Sequence, residues 1–423
     1  MNHKELLTAS FQAAVAAADP LKIVATHLPS PPKGKTLVVG AGKAAASMAR
    51  AVEQAWPASQ PLEGLVVTRY AHGMDTDRIK VVEASHPVPD GAGAVAAAEI
   101  LALVSELTPD DHLIALVSGG GSSLLSLPVA SISMADLKTV TADLLKSGAP
   151  ITEMNIVRKH LSRIQGGRLA AACKAPVTTL IISDVTGDDP SAIASGPTCA
   201  DPSTYSDALA ILARFKIAAP ASVITHLEAG AAGKIDETPK PGDSVFTKVS
   251  NTVIATAHQS LQAAADFFRA HDITPVVLGD TVTGEATEVA KVYAALAREI
   301  RNHAQPFRPP VALISGGECT VTVKGNGRGG RCAEFLTSLA VELAGMPDIY
   351  ALAADTDGID GTEDNAGALL FPDSAAHAAA LGINALSLLE NNDGYSYFSA
   401  LGDLLVTGPT RTNVNDYRVI LIL

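Results

Sequence analysis

The sequence lacks the signatures of several familiar chemistries. Its four cysteines (Cys173, Cys199, Cys319, Cys332) form no CxxC pair and no metal-finger spacing, so they read as reduced thiols of a cytoplasmic protein. No HExxH or similar histidine spacing occurs, which argues against a catalytic zinc. There is no GxSxG elbow for a serine nucleophile and no GxxxxGK[ST] phosphate loop. No apolar run reaches the ~18 residues of a membrane span. The N-terminus has no apolar signal core, and its Ala-rich stretch reads as an amphipathic helix ending near Asp19-Pro20. Positive charge is short as well, with 31 Lys and Arg against 44 Asp and Glu, a net charge of −13. That balance argues against nucleic acid as a partner. An anionic substrate must then be drawn in by local positive charge, because the global field opposes it.

What is present is ample core. The 423 residues are 47% hydrophobic and 18% charged, which predicts two globular domains. Apolar, strand-like runs (36–39, 64–68, 113–117, 178–183, 252–256, 275–278, 311–314, 349–353) alternate with helical patterns such as 92–107, 258–270 and 285–301. Such alternation predicts α/β architecture with parallel sheet covered on both faces. The segment 228–248 is dense in glycine, proline and charge and is the predicted boundary, giving domains 1–235 and 236–423.

The richest local signal is Gly325-Asn326-Gly327-Arg328-Gly329-Gly330-Arg331, between a strand-like run from Cys319 to Val323 and a helical run from Cys332 to Leu343. Its glycines permit close backbone approach, the following helix would offer free N–H groups, and arginines match carboxylate and phosphate. It reads as an anion clamp; a tight loop with solvated arginines is the bland alternative. Gly40-Ala41-Gly42-Lys43 follows a strand and loosely matches a dinucleotide fingerprint, but the next strand ends Thr68-Arg69 without the ribose acid, leaving only an NADP 2′-phosphate on Arg69 as the dinucleotide option. Lys43 suits a phosphate oxygen or carboxylate instead. Ser118-Gly119-Gly120-Gly121-Ser122-Ser123 forms a candidate nest of N–H groups rimmed by hydroxyls, faintly echoed by Ser315-Gly316-Gly317. The loops from Asp184 through Asp188 and Asp189, and from Asp355 through Asp357 to Asp360, follow strands and suit a hard cation; Asx turns alone would also explain them. Lys159 and Arg163 would share a helix face at i,i+4, most simply a solvated one. The polar run 407–416 reads as a surface turn, unusual in having no lysine or glutamate.

Taken together, GAGKAAASMA, SHPVPD, SGGGSSLL, NIVRKHLSRIQGGRLA, SDVTGDDPSAIASGPT, SGGECTV, GNGRGGRCAEF, DTDGIDG and TGPTRTNVNDY resemble the class II glycerate kinases. This is the glycerate 2-kinase family with a C-terminal MOFRL domain, and the match spans nearly the whole chain. The resemblance implies a Rossmann-like N-terminal domain, a smaller α/β C-terminal domain and an active site in an interdomain cleft. It implies ATP- and Mg²⁺-dependent phosphorylation of D-glycerate at the 2-hydroxyl. Expected partners are glycerate and ATP, with no nucleic acid, no membrane, and a homodimer as the candidate assembly. The implied catalytic residues are Lys43 and Arg331, with Asp189 as a third. Binding is expected from Gly42, Ser118, Gly119, Gly120, Gly121, Ser122, Ser123, Lys159, Ser315, Gly316, Gly317, Glu318, Arg328, Gly330, Asn413 and Asn415. Asp184, Asp188, Asp355 and Asp357 are the metal candidates. One departure stands out: the family commonly has Asn-Gln after GRGGR, where this chain has Cys332-Ala333. The rival readings are an NAD(P)H-dependent hydroxypyruvate reductase and a non-catalytic carboxylate- or nucleotide-binding protein.

Overall fold

In the computed structural model, which describes residues 1–423, six strands of one unit build a single sheet. They are β1 (Thr36–Ala41), β2 (Leu62–Arg69), β3 (Ile79–Ala84), β4 (His112–Val117), β5 (Val177–Ile182) and β6 (Val249–Ala255), ordered β3-β2-β1-β4-β5-β6. The pairings β1–β2, β1–β4, β2–β3 and β4–β5 are parallel. Every residue of β1 is buried, as a doubly covered strand must be. The strand order reverses between β1 and β4, and in such sheets ligands bind beyond the carboxyl ends of the strands at that reversal.

This unit runs from Pro20 to Ile254, so the predicted cut after residue 235 falls inside it. The glycine- and proline-rich segment is not a linker. Glu237 accepts the Tyr205 N–H at 2.9 Å and meets His160 Nε2 at 3.2 Å, and Lys240 donates to Ser203 O, Glu237 and Thr238. The chain then adds β6 to the sheet. Composition flagged irregular backbone correctly; these half-buried polar anchors are what tie it down.

The second unit comprises Met1–Asp19 and Ala255–Leu423. Its N-terminal helix, His3–Ala17, packs Leu6, Leu7, Phe11 and Ala14 with Leu261, Ala264 and Phe268 of the helix Ala257–Arg269. The strands are β7 (Thr274–Gly279), β8 (Gly284–Glu285), β9 (Val311–Ser315), β10 (Cys319–Thr320), β11 (Ile349–Asp355), β12 (Gly367–Leu370), β13 (Leu404–Leu405) and β14 (Asp416–Ile422). The main sheet has the order β13-β12-β11-β14-β9-β7, while β8 and β10 pair separately. The expectation of parallel pairing fails here. Only β7–β9 is parallel in the main sheet, because β14 inserts antiparallel between β9 and β11. It enters directly from a loop, without the helical crossover that a parallel strand requires. The run expected to Val323 also shortens: β10 stops at Thr320, and Thr322 instead gives its N–H to the Glu285 carboxylate.

One buried carboxylate organises the approach to β3. Glu53 accepts the backbone N–H groups of Asp77, Arg78 and Ile79 at 2.9, 2.6 and 2.7 Å. Glu53→Ala leaves all three donors without their partner and should cost about 3 kcal/mol or more in chemical denaturation. A loss below about 1 kcal/mol would show that water replaces the carboxylate freely.

Candidate functional site

At the reversal between β1 and β4, two glycine loops are stitched together. Gly42 has φ +140°, and a Cβ there would lie 2.1 Å from Ser118 Oγ, so a side chain is excluded twice over. The Lys43 N–H donates to Gly119 O at 2.8 Å, the Ala44 N–H to Ser118 Oγ at 3.0 Å, and the Ser118 N–H to Ala41 O at 3.1 Å. Gly120 is left-handed at φ +80°; a Cβ there would lie 2.9 Å from the His86 ring and 3.5 Å from Lys43 Cγ. Lys43 and His86 therefore flank the loop together. Burial first, then the charges of Lys43, Arg69 and His72, push the His86 pKa down to about 3. Burial likewise lowers His72. These are neutral imidazoles beside cations. Sequence reading gave neither histidine a role, although His86 stands in the SHPVPD stretch.

Behind the loop, the Ser122 and Ser195 hydroxyls meet at 2.9 Å, Ser195 Oγ donates to Asn155 Oδ1 at 3.2 Å, and Gln165 Nε2 donates to Ser122 O at 2.8 Å. The Ser123 hydroxyl closes the turn onto Gly120 O at 3.1 Å. Lys159 is not on a solvated basic face. It is buried and pairs with the buried Asp201 at 3.6 Å. The helix Ile151–Leu161 ends before Arg163, so the expected shared face does not exist. Asp189 is exposed and spends both carboxylate oxygens on Ser191, accepting its N–H at 2.8 Å and its hydroxyl at 2.9 Å. Asp188 sits at φ 53°, a turn conformation, whereas Asp184 is half-buried just beyond the carboxyl end of β5. A cavity of about 360 Å³ lined by Leu101, Leu127, Arg163 and Arg168 contains none of the strand-end loop residues.

In the second unit, the antiparallel register of β14 sets Asp416 opposite Asp355. Arg331, first residue of the helix Arg331–Leu343, bridges them. Its Nε donates to Asp416 Oδ1 at 2.8 Å and its Nη2 to Asp355 Oδ2 at 2.7 Å, while Nη1 lies 3.1 Å from Glu318 Oε1. Burial alone would depress the guanidinium; Asp416, Asp355 and Glu318 outweigh it and hold it well above its ordinary value. The buried Arg418 takes the other Asp416 oxygen at 2.5 Å and donates to Gly316 O at 2.9 Å, fixing the Ser315–Gly317 turn. Gly317, at φ +100°, has no room for a Cβ, which would lie 2.3 Å from Val282 O.

The anion clamp read from GNGRGGR is corrected by this geometry. The helix N-terminus does not offer its first N–H groups to a ligand, because Cys332 and Ala333 donate to the buried Asp360 carboxylate at 3.0 and 2.8 Å. The anion at this helix start is the protein's own. Burial raises the Asp360 pKa to about 7, against these two hydrogen bonds. A Cβ at Gly330 would lie 2.2 Å from Asp360 Oδ1, so glycine there serves the cap. Arg328 is exposed, ion-paired with Glu363 and stacked 4.1 Å over Tyr395. Cys332 and Ala333 are fully buried, with Cys332 in the apolar core. Sequence reading gave Asp360, Asp416 and Arg418 no part in this cluster; only the acid-rich strand ends hinted at them.

Successive turns shape the second acidic loop: Asp355 Oδ1 accepts the Asp357 N–H at 3.0 Å, and Asp357 Oδ1 accepts the Ile359 N–H at 2.9 Å. No group of three or more His, Cys, Asp or Glu side chains converges as a metal centre. Nor is the 407–416 run a surface turn. Asn413 and Asn415 are buried, Asn415 O accepts both the N–H and the hydroxyl of Thr356, and Thr410 donates to Thr356 O.

The depressed His86 fixes a sign. Between its ordinary 6.5 and about 3, the unfolded chain holds a proton that the folded chain refuses, so stability falls on acidification through that window. His72, His160 and His226 are lowered in the same direction. Asp360 acts oppositely: raised from 3.8 to about 7, its contribution is full at low pH and lost as pH rises through 7. The thermal midpoint should drop between pH 6.5 and 5, with His86 contributing up to about 1.4 kcal/mol per pH unit. His86→Gln should flatten that slope; an unaltered slope would remove His86 as its source.

Comparison with known proteins adds a family. Residues 6–228 match the model described as a domain of unknown function, DUF4147, and residues 311–416 match the MOFRL family. An Agrobacterium vitis protein with the provisional name hydroxypyruvate reductase is 50% identical, covering 99% of this chain and 94% of that protein. A Pyrococcus horikoshii glycerate 2-kinase is 39% identical over 92% of this chain and 88% of its own length. The crystal structure of a Thermotoga maritima glycerate kinase, 36% identical, covers 99% of both chains with a TM-score of 0.88.

Proposed function

Because the chain belongs to the class II glycerate kinase family, which carries the MOFRL domain, we propose that it transfers the γ-phosphoryl group of ATP to the 2-hydroxyl of D-glycerate, giving 2-phosphoglycerate and ADP. The observation that carries this reading is the stitched pair of glycine loops at the strand-order reversal, with Lys43 beside Gly120. The glycines there let an anion approach the loop closely, and Lys43 supplies the charge. Phosphoryl transfer asks for positioning and charge neutralisation rather than a covalent protein nucleophile. Arg331 is the second cation in this reading, held rigid by Asp355, Asp416 and Glu318.

Magnesium fits with few protein ligands. It takes one or two carboxylates and completes its octahedron with water and phosphate oxygens. Asp184, half-buried beside the carboxyl ends of β4 and β5, is the best placed carboxylate for it. When bound there, the ion would neutralise nucleotide phosphate oxygens. Asp188, Asp355 and Asp357 remain secondary candidates, since each takes part in a turn. Asp189 would serve the loop fold rather than the chemistry, because both its oxygens are used locally.

The reductase alternative comes with the name of the Agrobacterium relative. Two features oppose it here. β2 ends at Arg69 with no acid for a ribose, and the Lys43 and Ala44 N–H groups are already given to Gly119 and Ser118. A dinucleotide pyrophosphate needs donors at that turn.

Incubation with D-glycerate, ATP and Mg²⁺, coupled directly to enolase, should give turnover, while hydroxypyruvate with NADH or NADPH should give none. Turnover only with the nicotinamide pair would overturn the kinase reading. Arg331→Ala should lower kcat roughly 10²–10³-fold, as loss of a preorganised charged donor does, and Arg331→Lys should restore part of it. Near-wild-type turnover in a folded alanine variant would reduce Arg331 to an ion-pair residue of the fold.

A further inference from the structure

Three cations cluster in the stretch around the helix Ile151–Leu161, and their environments differ. Lys159 has its counter-ion in Asp201. Arg163 is exposed and lies beyond the helix end. Arg158 is half-buried and makes no ion pair: its one side-chain hydrogen bond runs from Nη1 to Asn155 Oδ1 at 3.3 Å. Burial lowers its pKa, with no carboxylate working the other way. A guanidinium carries five donors, and desolvating one without a counter-ion is costly. Lys159 is the expected binding cation of this stretch; packing instead leaves its neighbour in want of an anion.

The position of Arg158 says which anion. Asn155 Oδ1 accepts from Arg158 and also from Ser195 Oγ at 3.2 Å, and Ser195 Oγ meets Ser122 Oγ at 2.9 Å. A continuous hydrogen-bonded chain thus joins the guanidinium to the glycine loop on its Ser122 flank. The chain passes through strained backbone, since the buried Ala194 and Ser195 both adopt left-handed φ values of 50° and 58°. Such strain persists only where its surroundings enforce it, and it concentrates at functional sites. Lys43 borders the same loop, its Cγ 3.5 Å from where a Gly120 Cβ would stand. The loop is thus bordered by one cation and linked through Ser122 to another. An acceptor that gives a carboxylate to Arg158 and a hydroxyl to the phosphoryl group beside Lys43 fits that pair of cations.

We propose that Arg158 binds the carboxylate of the acceptor substrate, a short 2-hydroxy acid, with Asn155 and Ser195 as positioning residues that fix it relative to the glycine loop. The inference rests on the kinase reading for the identity of the acid. The guanidinium fork pairs with a carboxylate through two parallel N–H···O bonds, which a lysine cannot reproduce.

The test uses the full chain, with ATP and Mg²⁺ and enolase coupling. Arg158→Gln should raise the KM for D-glycerate roughly 10- to 100-fold, the range of a lost charge-assisted hydrogen bond. The KM for ATP should not move, and Arg158→Lys should fall between the two. D-glyceramide, which lacks the charge, should be a poor substrate for the wild type, with a KM that R158Q leaves unchanged. An unaltered D-glycerate KM in R158Q, or equal rises for glycerate, glyceramide and ATP, would overturn the proposal. If R158Q fails to fold by thermal denaturation, R158K carries the same comparison. If the wild type shows no turnover on glycerate, it is the kinase reading that fails. Calorimetric titration of D-glycerate and of tartronate into wild type and R158K then decides on its own: weaker binding by R158K supports the carboxylate site, and equal or undetectable binding overturns it.

Discussion

The first unit's strand-end chemistry depends on one close approach, Gly42 against Ser118. With φ +140° and no room for a Cβ, Gly42 lets the turn after β1 lie directly on the turn after β4. The donors that would otherwise point outward from the first turn are then given to Gly119 and Ser118. This settles what the loop pair cannot be, an open dinucleotide turn, and what it becomes, a rigid ledge. Lys43, His86 and Gly120 stand at one side of that ledge, and the Ser122–Ser195–Asn155 chain braces the other. Because hydrogen bonds strengthen in a low-dielectric setting and unpaired groups there are costly, a half-formed version of this network would be worse than none.

The second unit solves a different electrostatic problem. Inserting β14 antiparallel brings Asp416 to the edge where β11 ends in Asp355, and two like charges at that spacing would repel. Arg331 and the buried Arg418 share Asp416 between them, and Asp360 compensates the helix start. Removing one partner from such a set strands the others as buried charges, which is far more costly than never having built the set. The arginine that looks from sequence like a free anion receptor is thus first a structural counter-ion. Any catalytic duty falls to it as an already ordered guanidinium, which is how a preorganised charge becomes effective.

Much of the fold was legible in the sequence and part of the site was not. Helices expected over 92–107, 258–270 and 285–301 form as Gly91–Ser105, Ala257–Arg269 and Ala286–His303, the first from alanine-rich helix propensity and the others because an amphipathic period survives whatever packs on it. The eight expected strands are present, since continuous apolar runs leave few alternatives. Direction and neighbour choice were not legible: the apolar run Val419–Leu423 gives no sign that it enters between β9 and β11 the other way up. Site residues divide along the same line. Glycines whose Cβ would collide, at 42, 120, 317 and 330, could be picked by type because a backbone requirement is local. Charge pairing is not local. Lys159 met Asp201, Arg328 met Glu363, and Asp360 reached back to Cys332, all across separations that no spacing rule covers.

That non-locality bears on how an acidic protein handles an anionic substrate. With a net charge of −13, the long-range field repels glycerate and nucleotide alike, so attraction has to come from cations whose charge is not cancelled nearby. Several cations here are cancelled: Lys35 on Glu63, Lys80 on Glu99, Lys159 on Asp201, Arg298 on Glu342, Arg301 on Asp348. Arg158 and Arg69 make no ion pair, and both belong to the unit whose sheet reverses at the glycine loops, Arg69 at the carboxyl end of β2. Neighbouring His72 and His86 are kept neutral in part by that positive field, so they add donors and acceptors without adding charge that pH would switch. Local excess of this kind acts within about a Debye length, roughly 8–10 Å at ordinary salt. It cannot gather a substrate from afar, but it selects one at contact, which suits recognition of a small acid by the placement of its carboxylate rather than by bulk attraction.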